Sequence, residues 1–171
     1  YHNKISLFLA GSHSPIYLEP MSKTTGWTEQ DVPDQAGKVV IVTGGNSGIG
    51  YETVRILAQR GAHVILAARN TIKGNEAVNE ILSDNPSANV ETQPLDLADL
   101  SSIREFAISF KERGMPLHTL INNAGIMGVP KGTTVDGFEL QFGVNHLGHF
   151  ALTGLLIEDL VAQSGGRVVN V

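Results

Sequence analysis

The chain contains no cysteine among its 171 residues. That excludes a disulfide framework, a thiolate zinc site, a CxxC redox motif and a cysteine nucleophile. The sequence is compatible with a reducing compartment, and the cytoplasm is the default expectation. A basic excess is also lacking: 12 Lys plus Arg stand against 17 Asp plus Glu, for a net charge of −5. Binding to a phosphate backbone needs a basic face, so no nucleic acid partner is expected. No run of like charge is long enough to serve as an interaction tail. The N-terminal apolar stretch ISLFLAG (5–11) is too short to span a bilayer, and no basic segment precedes it. Residue 1 is Tyr rather than Met, and the closing RVVNV reads as a strand stopped in mid-course. The expectation is a piece cut at both ends, with membrane association through a missing N-terminus left open. Residues 1–31 are expected to be a leader or disordered segment. Two readings stand for their first part: the tail of a signal peptide's apolar core, or translated leader ahead of a start at Met21.

With 42% hydrophobic residues and a mean hydropathy of +0.02, the remainder suits one globular domain, taken as 32–171. There is no internal repeat. From Gly37 onward, apolar runs alternate with segments of helical period. KVVIVT (38–43) is a continuous β-branched run, as expected of a parallel strand covered on both faces. A helix follows over 48–60, with Val54, Leu57 and Ala58 on one side and Gly61 closing it. AHVILAA (62–68) is a second strand, 71–83 a second helix, and NVETQPLDL (89–97) a third strand interrupted by Pro94. Residues 98–112 carry Leu100, Ile103, Phe106, Ala107 and Phe110 at helical spacing. HTLINNAG (118–125) runs from a fourth strand into a turn. Residues 134–163 read as one long helix or two, and 167–171 as a fifth strand. This alternation predicts an α/β fold, a doubly wound parallel sheet of Rossmann-like type, truncated after its fifth strand. Ligands of such sheets bind at the carboxyl ends of the strands, beside the point where strand order reverses.

That edge carries TGGNSGIG (43–50). Gly44 allows a tight turn out of the strand, Gly48 a close approach of backbone to a phosphate, and Gly50 close packing of helix on sheet. Amide N–H groups at the helix start then face an anion, with Asn46 and Ser47 as side-chain donors. The bland alternative is a glycine-rich turn capped by Ser47. A P-loop is excluded because no G-K-[ST] occurs. At the end of strand 2, where NAD-binding folds carry a carboxylate for the ribose 2′-OH, the chain has Ala68 and Arg69. A guanidinium pairs with a 2′-phosphate, so NADP(H) is expected over NAD(H); otherwise Arg69 is a solvated surface arginine.

TGGNSGIG, NNAG (122–125) and FGVNHLGHF (142–150), in this order, resemble the short-chain dehydrogenase/reductase family. The likeness is nearest to its retinol-dehydrogenase-like and fungal light-induced alcohol dehydrogenase-like members, and runs from Val32 to Val171. The resemblance implies that Thr43, Gly44, Asn46, Ser47, Gly48, Ile49 and Gly50 form the cofactor loop and that Arg69 is the basic residue of NADP-preferring members. It implies that Asp96 and Leu97 meet the adenine. From the residues alone, Asp96 serves equally as an N-cap for a helix from Ala98. Asn123, Ala124 and Gly125 match the turn beside the ribose, which alone reads as a ligand-free turn. Asn145 matches a helix asparagine of the catalytic tetrad, implied to hold a water in a proton relay. The residues do not separate a relay from a structural bond. His146 and His149, three apart, invite a metal, but no third ligand is evident and the family uses none; packing or surface roles are expected instead.

The activity so implied is hydride transfer between nicotinamide and an alcohol or carbonyl substrate. The family's serine and its Y-x-x-x-K pair are missing: Tyr1, Tyr17 and Tyr51 are followed four positions on by Ile5, Met21 and Arg55. These residues alone are therefore expected to bind cofactor without turnover. The alternative is a non-catalytic NADP(H)-binding or sensor module. In the family the helices corresponding to 98–112 and 134–163 suggest a homodimer interface.

Overall fold

A computed structural model describes residues 26–171. The expectations for residues 1–25, including the start at Met21, lie outside the described residues. A boundary between compact units falls after Asp31. On its N-terminal side, Glu29–Asp31 form one 3₁₀ turn, in which the Asp31 carboxylate accepts from the Thr28 amide at 2.7 Å and its hydroxyl at 2.8 Å.

The unit from Val32 onward is a five-stranded parallel sheet with helices on both faces. Its elements are β1 (Val39–Thr43), α1 (Gly48–Gln59), β2 (His63–Ala68), α2 (Thr71–Asp84), β3 (Asn89–Pro94), α3 (Leu100–Glu112), β4 (Thr119–Asn122), α4 (Leu140–Phe142), a π-helix (Gly143–Gly148), α5 (His149–Val161) and β5 (Arg167–Asn170). The strand order β3-β2-β1-β4-β5 makes β1 the centre, where Val42 pairs with Leu66 on one side and Ile121 on the other. The order reverses between β1 and β4, as the sequence pattern predicts.

Strand side chains alternate between the two faces, so β1 and β2 each feed two cores. Val40, Val42, Val64 and Leu66 pack with Val54 and Ala58 of α1 and Ala77 and Ile81 of α2. Val39, Ile41, Ile65 and Ala67 pack with Ile103, Phe106 and Phe110 of α3 and Leu152, Leu156 and Leu160 of α5. A strand buried on both faces has no use for polar residues, which is why VVIVT is unbroken. No described helix is long and apolar enough to cross a membrane.

Three boundaries differ from the sequence expectation, each for a local reason. β3 stops at Pro94 rather than running to 97, because its partner β2 ends at Ala68, which pairs with Pro94 and takes a last bond from the Leu95 amide at 3.1 Å; the proline is tolerated because β3 is the sheet edge. The third helix starts at Leu100, not 98. Its N-cap is Asp99, which accepts from the Ser101 and Ser102 amides at 2.8 and 3.4 Å. Asp96 is therefore not the cap; its Oδ1 accepts from the Ala98 amide at 2.9 Å in a tight Asx turn. The long helix begins at Leu140, not 134. Residues 134–138 form a turn closed by Thr134 N–H to Phe138 O at 2.9 Å, with Gly137 at φ 85°. Glu139 then caps the helix through the Gln141 and Phe142 amides. Turn chemistry at Asp136–Gly137 overrides the apolar period there.

At the opposite end of the sheet, Glu91 of β3 accepts from His63 of β2 at 2.6 Å and from Arg113 after α3. Burial by itself would raise the Glu91 carboxyl; the bonds from Arg113 and His63 outweigh it and hold the carboxyl below its ordinary value. A lowered folded-state value adds stability above the unfolded value of about 4.3, and that stability disappears as pH falls through the folded value. Urea titrations should show Glu91→Gln less stable than the native chain at pH 7, with a smaller deficit near pH 3. An equal deficit at both pH values would refute the linkage.

Candidate functional site

β1 ends at Thr43, which is fully buried. Its hydroxyl oxygen accepts from the amides of Asn123 and Ala124, both at 2.9 Å, so the turn after β4 is fastened to the end of β1. The Asn123 carboxamide completes the junction by donating to Thr43 O at 2.9 Å and Gly44 O at 3.3 Å. This crowding explains two of the glycines. A Cβ on Gly44 would stand 2.9 Å from Ala124 Cα, and φ there is +66°. A Cβ on Gly50 would stand 2.4 Å from both Gly44 O and Asn123 Nδ2.

The loop then enters α1 through Ser47, whose backbone is extended at the N-cap position but whose side chain makes no capping bond. By contrast, Asn70 caps α2 through the Lys73 amide at 3.0 Å, and Asp99 caps α3. The first turn of α1 also holds no acidic residue. Its leading N–H groups are thus left for something other than the protein, at the helix end where an anion is favoured. The alternative reading of Ser47 as the cap does not hold.

A cleft of about 460 Å³ opens in front of this helix end. Thr43, Gly44, Asn46, Ser47, Ile49, Gly50, Arg69, Asp96, Leu97, Asn123, Ala124 and Gly125 all line it, so every cofactor-loop candidate is gathered in one place except Gly48. Gly48 sits behind the rim as the first residue of α1, at φ +55°. Arg69 lines it too, exposed and without an ion pair among the described residues.

Sequence reasoning missed Lys73 and Gly45. Lys73 lines the same cleft one helical turn beyond Arg69, again without an ion pair. The signal was present: two basic residues flank the N-cap Asn70, directly after the strand whose carboxyl end meets the ligand. Gly45 is packed so tightly that a Cβ would lie 2.7 Å from Val54 Cγ2.

Asn145 lies apart from this cleft, on the wall of a second one of about 520 Å³ that shares Asn123, Ala124 and Gly125 with the first. Its carboxamide pairs with the Ile126 backbone in both directions: Oδ1 accepts from the amide and Nδ2 donates to the carbonyl, each at 2.8 Å. One N–H and one lone pair of the side chain thus clamp the turn after β4 to the π-helix, and the others remain on the cleft wall. The two histidines take separate partners. His146 stacks between Phe142 and Phe150, with ring centroids 5.2 and 6.5 Å away, while His149 is buried against Thr43.

The family model described as short chain dehydrogenase matches residues 38–171. The chain belongs to the short-chain dehydrogenase family. It is 54% identical over 134 residues to mouse retinol dehydrogenase 12, an alignment that covers 78% of this chain and 42% of that protein. Among solved structures it resembles an uncharacterised protein of Mycobacterium paratuberculosis, at 52% identity and a TM-score of 0.70, covering 79% of this chain and 47% of the other. It also resembles the RhlG/NADP active-site complex of Pseudomonas aeruginosa, at 27% identity and a TM-score of 0.67, covering 79% and 54%. The chain spans less than half the length of the retinol dehydrogenases it matches. The glycine loop, the NNAG turn and the helix asparagine of this family member stand at one sheet edge.

Gly44→Ala tests the junction. The substitution combines a left-handed backbone, worth about 1–2 kcal/mol, with an overlap worth about 1–3 kcal/mol. Gly128→Ala, at φ +66° with nothing within 4 Å, carries the backbone strain alone. Urea midpoints should fall further for Gly44→Ala than for Gly128→Ala; equal shifts would show that the approach of Ala124 does not matter.

Proposed function

We propose that the chain is the dinucleotide-binding part of an NADP-dependent oxidoreductase acting on an alcohol or carbonyl substrate. The observation that carries this reading is that the uncapped start of α1 and the cations Arg69 and Lys73 line one cleft. The donor set suits a dinucleotide with an extra phosphate: amide N–H groups for a diphosphate, two cations for a further anion, and no carboxylate at the end of β2.

In this reading the N–H groups leading α1, with Asn46 and Ser47, hold the diphosphate. Arg69 and Lys73 pair with the 2′-phosphate, Asp96 and the backbone at Leu97 meet the adenine, and Asn123, Ala124 and Gly125 border the ribose beside the nicotinamide. The bound nicotinamide supplies the hydride donor or acceptor. The residues of this chain bind and orient it; the NNAG turn, which walls both clefts, sets its position against a substrate entering from the Asn145 side. The NADP-bound neighbour and the retinol dehydrogenase relatives support the cofactor and the substrate class.

Two measurements test the proposal. Calorimetric titration of the full-length protein should give tighter binding of NADP than of NAD. Arg69→Ala should remove about 1.5–3 kcal/mol, the usual worth of a hydrogen bond to a charged group and roughly a 10- to 100-fold loss for NADP, with NAD little changed. Equal affinity of the native protein for both dinucleotides would overturn the specificity. Second, the 171 residues hold no Tyr with Lys four positions on, so the proposal assigns them binding alone. Carbonyl-dependent NADPH oxidation by these residues, well above buffer, would contradict it.

A further inference from the structure

The binding roles above leave His149 unused, although it is 6% exposed and touches the residue that fastens the site. It is the first residue of α5, directly after the π-helix. Its own amide bonds to His146 O, and its ring reaches the Asn145 carbonyl instead, with Nδ1 at 3.1 Å. A carbonyl only accepts, so Nδ1 carries the proton and Nε2 is bare. Nε2 lies 2.8 Å from Thr43 Oγ1.

The hydroxyl has one proton and two acceptor positions. Both acceptor positions are taken by the Asn123 and Ala124 amides. The proton has two possible destinations, Ile121 O at 3.4 Å and the imidazole at 2.8 Å, and the shorter contact wins. Burial pushes the imidazole below its usual range, against a weaker opposing pull from the Asn145 carbonyl, so the ring is neutral and able to accept.

We propose that His149 is a positioning residue of the dinucleotide site: its bare Nε2 holds the Thr43 proton and so keeps both hydroxyl lone pairs on the Asn123 and Ala124 amides. The turn is then fixed against the glycine loop from the helix side, through a group that touches no ligand. The assignment rests on the cofactor reading, because its consequence is measured as dinucleotide affinity. It accounts for a histidine where the pattern of α5 would otherwise place another leucine.

The test is a double-mutant cycle on NADP affinity in the full-length protein, with Thr43→Val, His149→Leu and the pair, plus His149→Gln. His149→Leu should weaken NADP roughly tenfold, the worth of one buried hydrogen bond. In the Thr43→Val background it should cost nothing further. Gln keeps an acceptor at the same reach and should restore most of the affinity. Unchanged binding by His149→Leu, or losses that add in the pair, would overturn the assignment while leaving the cofactor reading intact. Failure of the native protein to bind either dinucleotide would instead bring down the cofactor reading. A readout needing no variant is the imidazole ¹⁵N spectrum of the native protein: a neutral Nδ1–H tautomer is expected, and an Nε2–H tautomer refutes the proposal.

Discussion

One buried hydroxyl, Thr43 Oγ1, is where the functional edge of the sheet is tied together. It closes the end of the central strand onto the turn after β4 by accepting two amides, and it meets α5 through His149. The Asn123 amide also reaches Ile121 O at 3.1 Å, but the Ala124 amide left without that oxygen would be a part-buried donor without a partner, at a cost of about 1–3 kcal/mol. The position of the turn therefore follows from the end of β1, and so does the wall common to both clefts. Gly44 and Gly50 are consequences of the same closeness. The chain segments lie too near one another there for a Cβ between them.

Electrostatics then decides what the edge can hold. α2 and α3 satisfy their leading amides with Asn70 and Asp99, and Glu139 does the same for α4. α1 does not, although a serine occupies its N-cap position. An uncapped helix start is a cost of typically about 1 kcal/mol, one that a bound anion removes. Arg69 and Lys73, without an ion pair among the described residues, line the same cleft at the end of β2 and the start of α2. Nothing in the apolar packing of the sheet requires either feature, so both point to a ligand rather than to the fold.

The strands and their order were readable because a parallel strand buried on both faces is an unbroken β-branched run, and alternation with helical period leaves few topologies. The glycine loop and NNAG were readable because their spacing encodes backbone approach. The misreadings share a cause: hydrophobic period was trusted where local hydrogen bonding decides. β3 ends where its partner β2 runs out at Ala68, Asp99 rather than Asp96 starts α3, and the turn at 134–138 is held by Thr134 and Gly137 against an apolar pattern that runs through it. The bond of Asn145 to Ile126 was left open by the sequence because a side-chain amide paired with distant backbone leaves no periodic trace.

His149 was legible in principle, as a change of character along one helical stripe. His149, Leu152, Leu156 and Leu160 recur at helical spacing and are buried, and the exposed Asn145 precedes them one turn earlier. Leu152, Leu156 and Leu160 lie in the core against the sheet. Toward the N-terminus the stripe passes beyond the last paired residues of β1 and β4, where the ladder gives out and strand-end groups need other partners. Leucines there would bury those groups unsatisfied. The stripe turns to Asn145 and His149 at that point, one bonding the Ile126 backbone and the other the Thr43 hydroxyl. A polar residue that interrupts an apolar stripe where a helix crosses the end of a sheet is thus explained by the donors and acceptors beneath it. The same rule separates His149 from His146, which lies off the stripe between two exposed phenylalanines.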